Sequence, residues 1–465
     1  MLLSIKKEEW LGQVKNDFFA GLVSSIAILP EVIGFAIIAG VNPLTALFGS
    51  SIMMLVISFM GGRPAMVTAA AGSMAMVMVG LIKAHGIEYM LAATVLTGIF
   101  QLLLGYAGIH KLMRYISKTV MYGFVNALAI MIFMAQVQQL PGQSVLTFVM
   151  VGITILLMYV LPKVTTLVPP ALIAIVMMGI VSYVMPGQFQ VIGDLGDLSQ
   201  TSFSLALPNV PFTLETLSII IGPAIALTMV GLIETLLTLP IVDEMTETTG
   251  DSKREVKAQG LANLVTAFFG GPAGCAMIGQ AVINVKSGGR TRLSTLVGGL
   301  SLLILILVGK DVMLQIPTAV LIGIMITVAI ATFNWESLSL IRTFQVTESF
   351  IMIMTVAVVV YTHNLAIGIA LGVLLSALVF MAKLSSIKIT ENEETISVSG
   401  PLYFASVQSF NRYFSEKEST LKGKQIDFSH MTVLDHSAEE ALVEWLRDYH
   451  TPDNQLQLIG LPQAK

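Results

Sequence analysis

Apolar runs of membrane-spanning length alternate with short polar stretches along the first 383 residues of this chain. A helix rises 1.5 Å per residue and a bilayer's hydrocarbon core is ~30 Å thick, so ~20 apolar residues cross it. Runs that cross or nearly cross fall at 18–40, 43–60, 88–107, 117–139, 144–161, 165–185, 214–240, 255–270, 293–309, 316–332, 346–361 and 363–383. Two shorter pieces, 68–82 and 276–285, are interrupted by Gly, Ser, Cys and Gln. Together they make fourteen segments, and an even number puts both termini on the same side.

Positive charge chooses the side. Threading from a cytoplasmic N-terminus leaves sixteen of the eighteen Lys and Arg of this region inside, with only Lys83 and Lys310 outside. The longest outer loop, 185–212, carries two Asp and no Lys or Arg. This is the bias that orients membrane proteins, and dropping either short segment destroys it. The stretches 251–255 and 286–292 then read as inner loops.

The short segments resemble each other. GGRPAMVTAAAGSMAMVMVG from Gly61 and GGPAGCAMIGQAVINVKSGG from Gly270 both open with paired glycines, a nearby proline and small residues. They are third and tenth in order. Seven apart means opposite orientation, the pattern of inverted repeats whose broken helices meet near the midplane. Small residues also let helices pack closely, but the matched positions favour a substrate site.

A carboxylate lies inside one long run. Glu234 follows about four turns of apolar helix, and two more pass before Asp243 and Glu244. A charge there costs several kcal/mol, roughly, unless it pairs, protonates or meets an ion, so the position is functional by default.

Composition agrees with a membrane protein: 55% of residues are hydrophobic and 12% charged, against ~25% charged in soluble domains. A net charge of −4 is too small to point to nucleic acid. One cysteine, Cys275, rules out an intrachain disulfide. The first apolar run begins only at Phe18, which argues against a cleavable signal peptide. The 27 Met read as lipid-facing or core filling. No metal motif, phosphate-binding loop or catalytic triad is present in the sequence, so an enzyme and a resident cofactor are not expected.

VGLIETLLTLPIVDEMTETTGDSKREVKAQGLANLVTAFFGG from Val230 and AVINVKSGGRTRLS from Ala281 closely resemble the sulfate permease (SulP) family, bacterial relatives of solute carrier family 26. ILPEVIGFAIIAGVNP from Ile28 and AIGIALGVLLSAL from Ala366 support the resemblance. It implies an all-α polytopic transporter over 1–383, with fourteen spans in two inverted seven-helix repeats forming core and gate domains. It also implies a small cytoplasmic α/β STAS domain over 384–465, and a homodimer in the inner (plasma) membrane.

The family's anion site lies between the facing N-termini of the third and tenth helices, where free N–H groups and about half a positive charge attract an anion. Carried onto this chain, the donors are Ala71, Gly72 and Ser73, with Met277, Ile278 and Gly279. Glu31 and Gln280 also contact the substrate, and Glu234 with Thr238 form a site for the coupling ion, H+ or Na+. The chain departs from the commoner pattern at Gln280 (often Arg), Glu31 (often Gln), and Ala71 and Cys275 (often small polar residues).

From Ser385 the chain turns polar. Residues 394–406 read as a strand pair, 409–419 as a helix with an aromatic face, 424–450 as strand, turn and helix, and 455–461 as a last strand. Asp435 and Ser437 are candidate caps for the last helix, and Ser437 is a candidate phosphorylation switch. No full closing helix follows, so the domain reads as truncated. The reading is a proton- or sodium-coupled symporter of sulfate or bicarbonate working by alternating access. An uncoupled exchanger or channel, a dicarboxylate transporter and a membrane-embedded anion sensor stay open.

Overall fold

The computed structural model describes residues 6–111, 117–164, 169–195, 205, 207–340, 346–384, 387–392, 394–417, 421–451 and 456–461. Arg114 and Arg342, two of the charges counted inside, and much of the 185–212 loop lie outside the described residues, as do 418–420 and Gln455.

Every expected span meets a helix. They are α1 (Val14–Ala39), α2 (Pro43–Met60), α3 (Gly72–His85), α4 (Ile87–Ala107), α5 (Lys118–Val137), α6 (Val145–Val164), α7 (Pro170–Val184), α8 (Leu214–Thr246), α9 (Ser252–Phe268), α10 (Ile278–Lys286), α11 (Arg292–Leu314), α12 (Thr318–Thr332), α13 (Val346–Thr362) and α14 (Leu365–Leu384). Eight of the described helices are long and apolar enough to span a membrane, and four are apolar but shorter. The remaining two, α9 and α10, need cover from their neighbours. Local chemistry sets several starts. Asn42 Oδ1 accepts from the Leu44 N–H at 2.9 Å, with Pro43 in the first turn of α2.

Two expectations change here. The short segments do not begin as helix: Thr68–Ala69 (β1) and Cys275–Ala276 (β2) pair antiparallel, Thr68 opposite Ala276 and Ala69 opposite Cys275. Extended backbone lets the two chains cross before each turns into its half-helix. Residues 251–255 are not a loop. The Asp251 carboxylate caps α9 by accepting from the Arg254 N–H at 2.9 Å, so Glu255 already lies inside the helix.

The helix pairs in contact reveal the repeat. Helix α4 packs on α9 and α2 on α11; α1 packs on α11 and α4 on α8; α5 packs on α13 and α6 on α12. Adding or subtracting seven turns the first pair of each set into the second, which is the signature of two inverted seven-helix repeats. The contacts gather α1–α4 with α8–α11, and α5–α7 with α12 and α13.

The tail is a second unit with its own core. Its strands run β3 (Lys388–Glu391), β4 (Thr395–Leu402), β5 (Gln425–Val433) and β6 (Gln457–Ile459), in that order across one sheet. The β3–β4 pair is antiparallel and the others parallel. The strand pair expected in 394–406 is the single strand β4. Its partner β3 lies upstream, because the polar turn at Asn392 closes a hairpin through its N–H to the Thr395 carbonyl at 2.8 Å. Helices α15 (Val407–Glu416) and α16 (His436–Tyr449) contribute Phe410, Phe414 and Trp445 to a core with Val398 and Phe428. Asp435 is the cap, accepting from the Ala438 N–H at 2.9 Å, whereas Ser437 sits exposed in the first turn.

Candidate anion site between two half-helices

A polar stripe on α9 fixes the crossing from behind. Glu255, Gln259 and Asn263, spaced by four, are all fully buried on one face. Glu255 Oε2 accepts from the Gly62 and Arg63 N–H groups at 2.6 and 3.0 Å. Gln259 Nε2 and Asn263 Nδ2 donate to the Gly274 carbonyl at 2.9 and 3.0 Å, and the Gly274 N–H returns a bond to Asn263 Oδ1 at 2.8 Å. The segments that lead into both strands are thereby held by buried polar side chains in an apolar surround, an arrangement that favours one geometry. At the end of α8, Arg63 bridges Asp243 at 2.8 Å and donates to the Val242 carbonyl at 3.1 Å.

With the strands fixed, two helix N-termini are aimed by the backbone. Neither Ala71 nor Met277 supplies a side-chain cap to the helix it precedes. The first ladder bonds are Ala75 N–H to the Ala71 carbonyl and Ala281 N–H to the Met277 carbonyl, both 2.9 Å. The amides of Gly72 and Ser73, and of Ile278 and Gly279, precede them and have no partner within their helices. One expected donor is already used: the Met277 N–H donates to the Val67 carbonyl at 2.9 Å, continuing the strand pairing. Met277 contributes its side chain instead.

A cavity of about 110 Å³ opens at these ends. Glu31, Gly72, Glu234, Met277, Ile278 and Gly279 line it, all from the first group of helices. The expected residues Ala71, Ser73, Gln280 and Thr238 are near but do not line it. Ala71 lines a separate small hollow with Phe35 and Pro272. The Ser73 hydroxyl donates to Glu234 Oε2, and the Cys275 thiol donates to the same oxygen at 3.2 Å. Gln280 is fully buried, its Nε2 donating to the Ala27 carbonyl at 3.3 Å, while its Oε1 has no hydrogen-bond partner. Pro30, inside α1, removes a ladder donor one residue before Glu31. The Thr238 hydroxyl donates to the Glu234 carbonyl at 2.8 Å and the Ala276 carbonyl at 3.3 Å, so it is engaged with backbone.

The opposite wall was absent from the sequence reading. Phe124, Val125, Leu128 and Ile132 of α5 and Val328 and Thr332 of α12 close the cavity, with Phe35 of α1. Their spacing of four (124, 128, 132) marks a helix face, but on an all-apolar helix that face has no contrast with its surroundings. Glu234 is 8% exposed and Glu31 half-buried, and no Lys, Arg or His lines the cavity. Among the lining residues, the positive field is that of the backbone at the two half-helix ends.

Comparisons with known proteins converge. A profile of the Sulfate permease family matches residues 14–148 and 137–355, and one of the STAS domain matches 386–464. The chain is 44% identical over 463 residues to YbaR of Bacillus subtilis (strain 168), which is named as a candidate sulfate transporter, covering 98% of this chain and 97% of that one. It is 26% identical over 418 residues to the bicarbonate transporter BicA of a Picosynechococcus strain, covering 83% of this chain and 73% of that one. The solved transmembrane domain of a cyanobacterial bicarbonate transporter BicA matches with a TM-score of 0.69 and 25% identity, over 78% of this chain and 98% of that one. Murine solute carrier 26 family member A9, an anion transporter solved in the inward-facing state, matches with a TM-score of 0.82 over 97% of this chain and 86% of that one. At 17% identity this last likeness is one of fold.

Proposed function

Because this chain belongs to the sulfate permease family, we propose that it carries a small inorganic oxyanion across the membrane, sulfate first and bicarbonate second, together with a proton taken up by Glu234. The observation that carries the reading is the cavity itself. Gly72, Ile278 and Gly279, at the starts of two helices that have no side-chain cap, line it, and a buried carboxylate shares the space. An anion beside an ionised Glu234 meets a repulsion of roughly 4 kcal/mol at ~4 Å and an effective dielectric near 20. Protonating Glu234 removes it. Anion entry is then tied to proton entry, which is symport.

A proton suits this site better than sodium. Glu234 Oε2 is met by an O–H and an S–H donor, and the Thr238 hydroxyl is spent on carbonyls. A hard cation needs a shell of oxygens. The volume also favours an inorganic ion, since drug-sized ligands occupy ~300 Å³ or more. The two-sided cavity supports alternating access: the half-helix elements belong to one group of helices, the apolar wall mainly to α5 and α12. A homodimer in the inner membrane with both termini cytoplasmic completes the proposal, and cysteine labelling at residue 250 should report the inside.

The test is sulfate uptake into proteoliposomes under an imposed pH gradient. Wild type should accumulate sulfate when the outside is acidic, and Glu234→Gln should accumulate far less while retaining sulfate-for-sulfate exchange. Dependence on sodium instead of pH would overturn the proton assignment. Binding without any flux would favour a membrane-embedded sensor acting through the STAS domain.

A further inference from the structure

Two carboxylates, not one, face the cavity, and the mechanism above uses only Glu234. Glu31 of α1 and Glu234 of α8 both line a space of about 110 Å³. Its remaining lining is Phe35, Phe124, Val125, Leu128, Ile132, Val328 and Met277, with Gly72, Ile278, Gly279 and the hydroxyl of Thr332. Helices α3, α5, α10 and α12 bring no titratable group to that lining, so no cation offsets either acid. Beside Glu31, α10 offers the uncharged Gln280. That amide can hydrogen-bond the carboxylate but brings no positive charge to neutralise it, and its buried Oε1 has no donor of its own.

An anion entering here would join two like charges behind an apolar wall, where screening is weak. Neutralising Glu234 alone still leaves the anion beside an ionised Glu31. We infer that Glu31 is a second proton carrier rather than an anion ligand, so that the loaded site holds two protons and a divalent oxyanion. The inference rests on the proton-coupled reading of Glu234. Its charge balance is closed. The empty site with both acids ionised carries −2, and the loaded site with both acids neutral and the oxyanion bound also carries −2. One cycle therefore moves two protons and one divalent anion with no net charge, and the membrane potential exerts no force on it. A monovalent anion with two protons would not cancel, which makes the divalent class the matched substrate.

The experiment counts proton and radiolabelled sulfate fluxes into proteoliposomes holding the full chain, with the potential set by potassium and valinomycin. Wild type should move two protons per sulfate and be indifferent to potential. Glu31→Gln, nearly the same shape, should move one proton per sulfate and become electrogenic. Its sulfate accumulation should then fall about tenfold for each ~59 mV of inside-negative potential, the value for one net charge. Glu31→Asp, tested alongside, should restore a ratio of two. One proton per sulfate in wild type, or a ratio of two that survives Glu31→Gln, overturns the inference and leaves Glu234-coupled symport standing. Sulfate flux without proton flux in wild type overturns both.

Discussion

The two half-helix ends are related by the repeat yet differ in what surrounds them. At the start of α3, Gly72 lies against Phe35: a Cβ there would come within 2.5 Å of the ring. The neighbouring Ser73 is turned away from the cavity to hold Glu234. At the start of α10, a Cβ on Gly279 would meet nothing within 4 Å. One end is packed and wired to the carboxylate, the other open. Inverted symmetry supplies a frame of two helix N-termini, and the side chains around them make the two ends unlike; under the proposed function one serves coupling and the other receives the anion.

That asymmetry is sharpest in paired glycine substitutions. Gly279→Leu should project into the open space and weaken sulfate binding by roughly a hundredfold, about 2.8 kcal/mol. Its melting temperature should stay near wild type, because no packed atom is displaced. Gly72→Ala should do the reverse, destabilising the fold by ~1–3 kcal/mol through overpacking on Phe35. Adding Phe35→Leu should recover much of that loss. Equal melting temperatures for Gly72→Ala and wild type would break the comparison.

Gln280→Arg probes the open end from the third residue of α10. A fixed cation there should tighten sulfate binding by about tenfold, ~1.4 kcal/mol. It should also flatten the pH dependence, since it offsets the carboxylates without a proton. Unchanged affinity would argue that position 280 is out of electrical reach of the anion.

The smallest effect belongs to a carboxylate in the opposite setting. Glu391 of the tail is paired with Lys424 at 2.6 Å and Lys417 at 3.0 Å. Lys424, Lys417 and the Tyr413 hydroxyl hold its carboxyl down at about 2. A depressed value stabilises the fold above the ordinary carboxylate range, and the contribution disappears as pH falls toward about 2. Glu391→Gln should cost less than ~1 kcal/mol at neutral pH, as exposed ion pairs do. The difference from wild type, followed by melting, should vanish in strong acid.

What the sequence made legible follows the same division. Helix number, the inverted repeat and the paired glycine segments stand out because polarity and charge change sharply at their borders. Glu234 stands out because it is charged in an apolar run. The β1–β2 crossing was hidden: two-residue strands leave no alternation to read, and only long-range pairing creates them. Glu255 read as the edge of an inner loop, and Gln259 and Asn263 drew no notice inside the 255–270 run, since a buried polar stripe has the composition of a surface. Phe124, Leu128 and Val328 were invisible for the opposite reason, being apolar residues among apolar residues.

The central claim, that an anion bound at the two helix ends brings protons with it, is tested most directly by calorimetric titration of sulfate into the purified protein. Buffers of different ionisation heat separate proton uptake from binding. Net proton uptake on sulfate binding near neutral pH is predicted for wild type, reduced in Glu234→Gln, with binding lost in Gly279→Leu. Sulfate binding with no proton uptake, or undiminished binding by Gly279→Leu, would contradict the account.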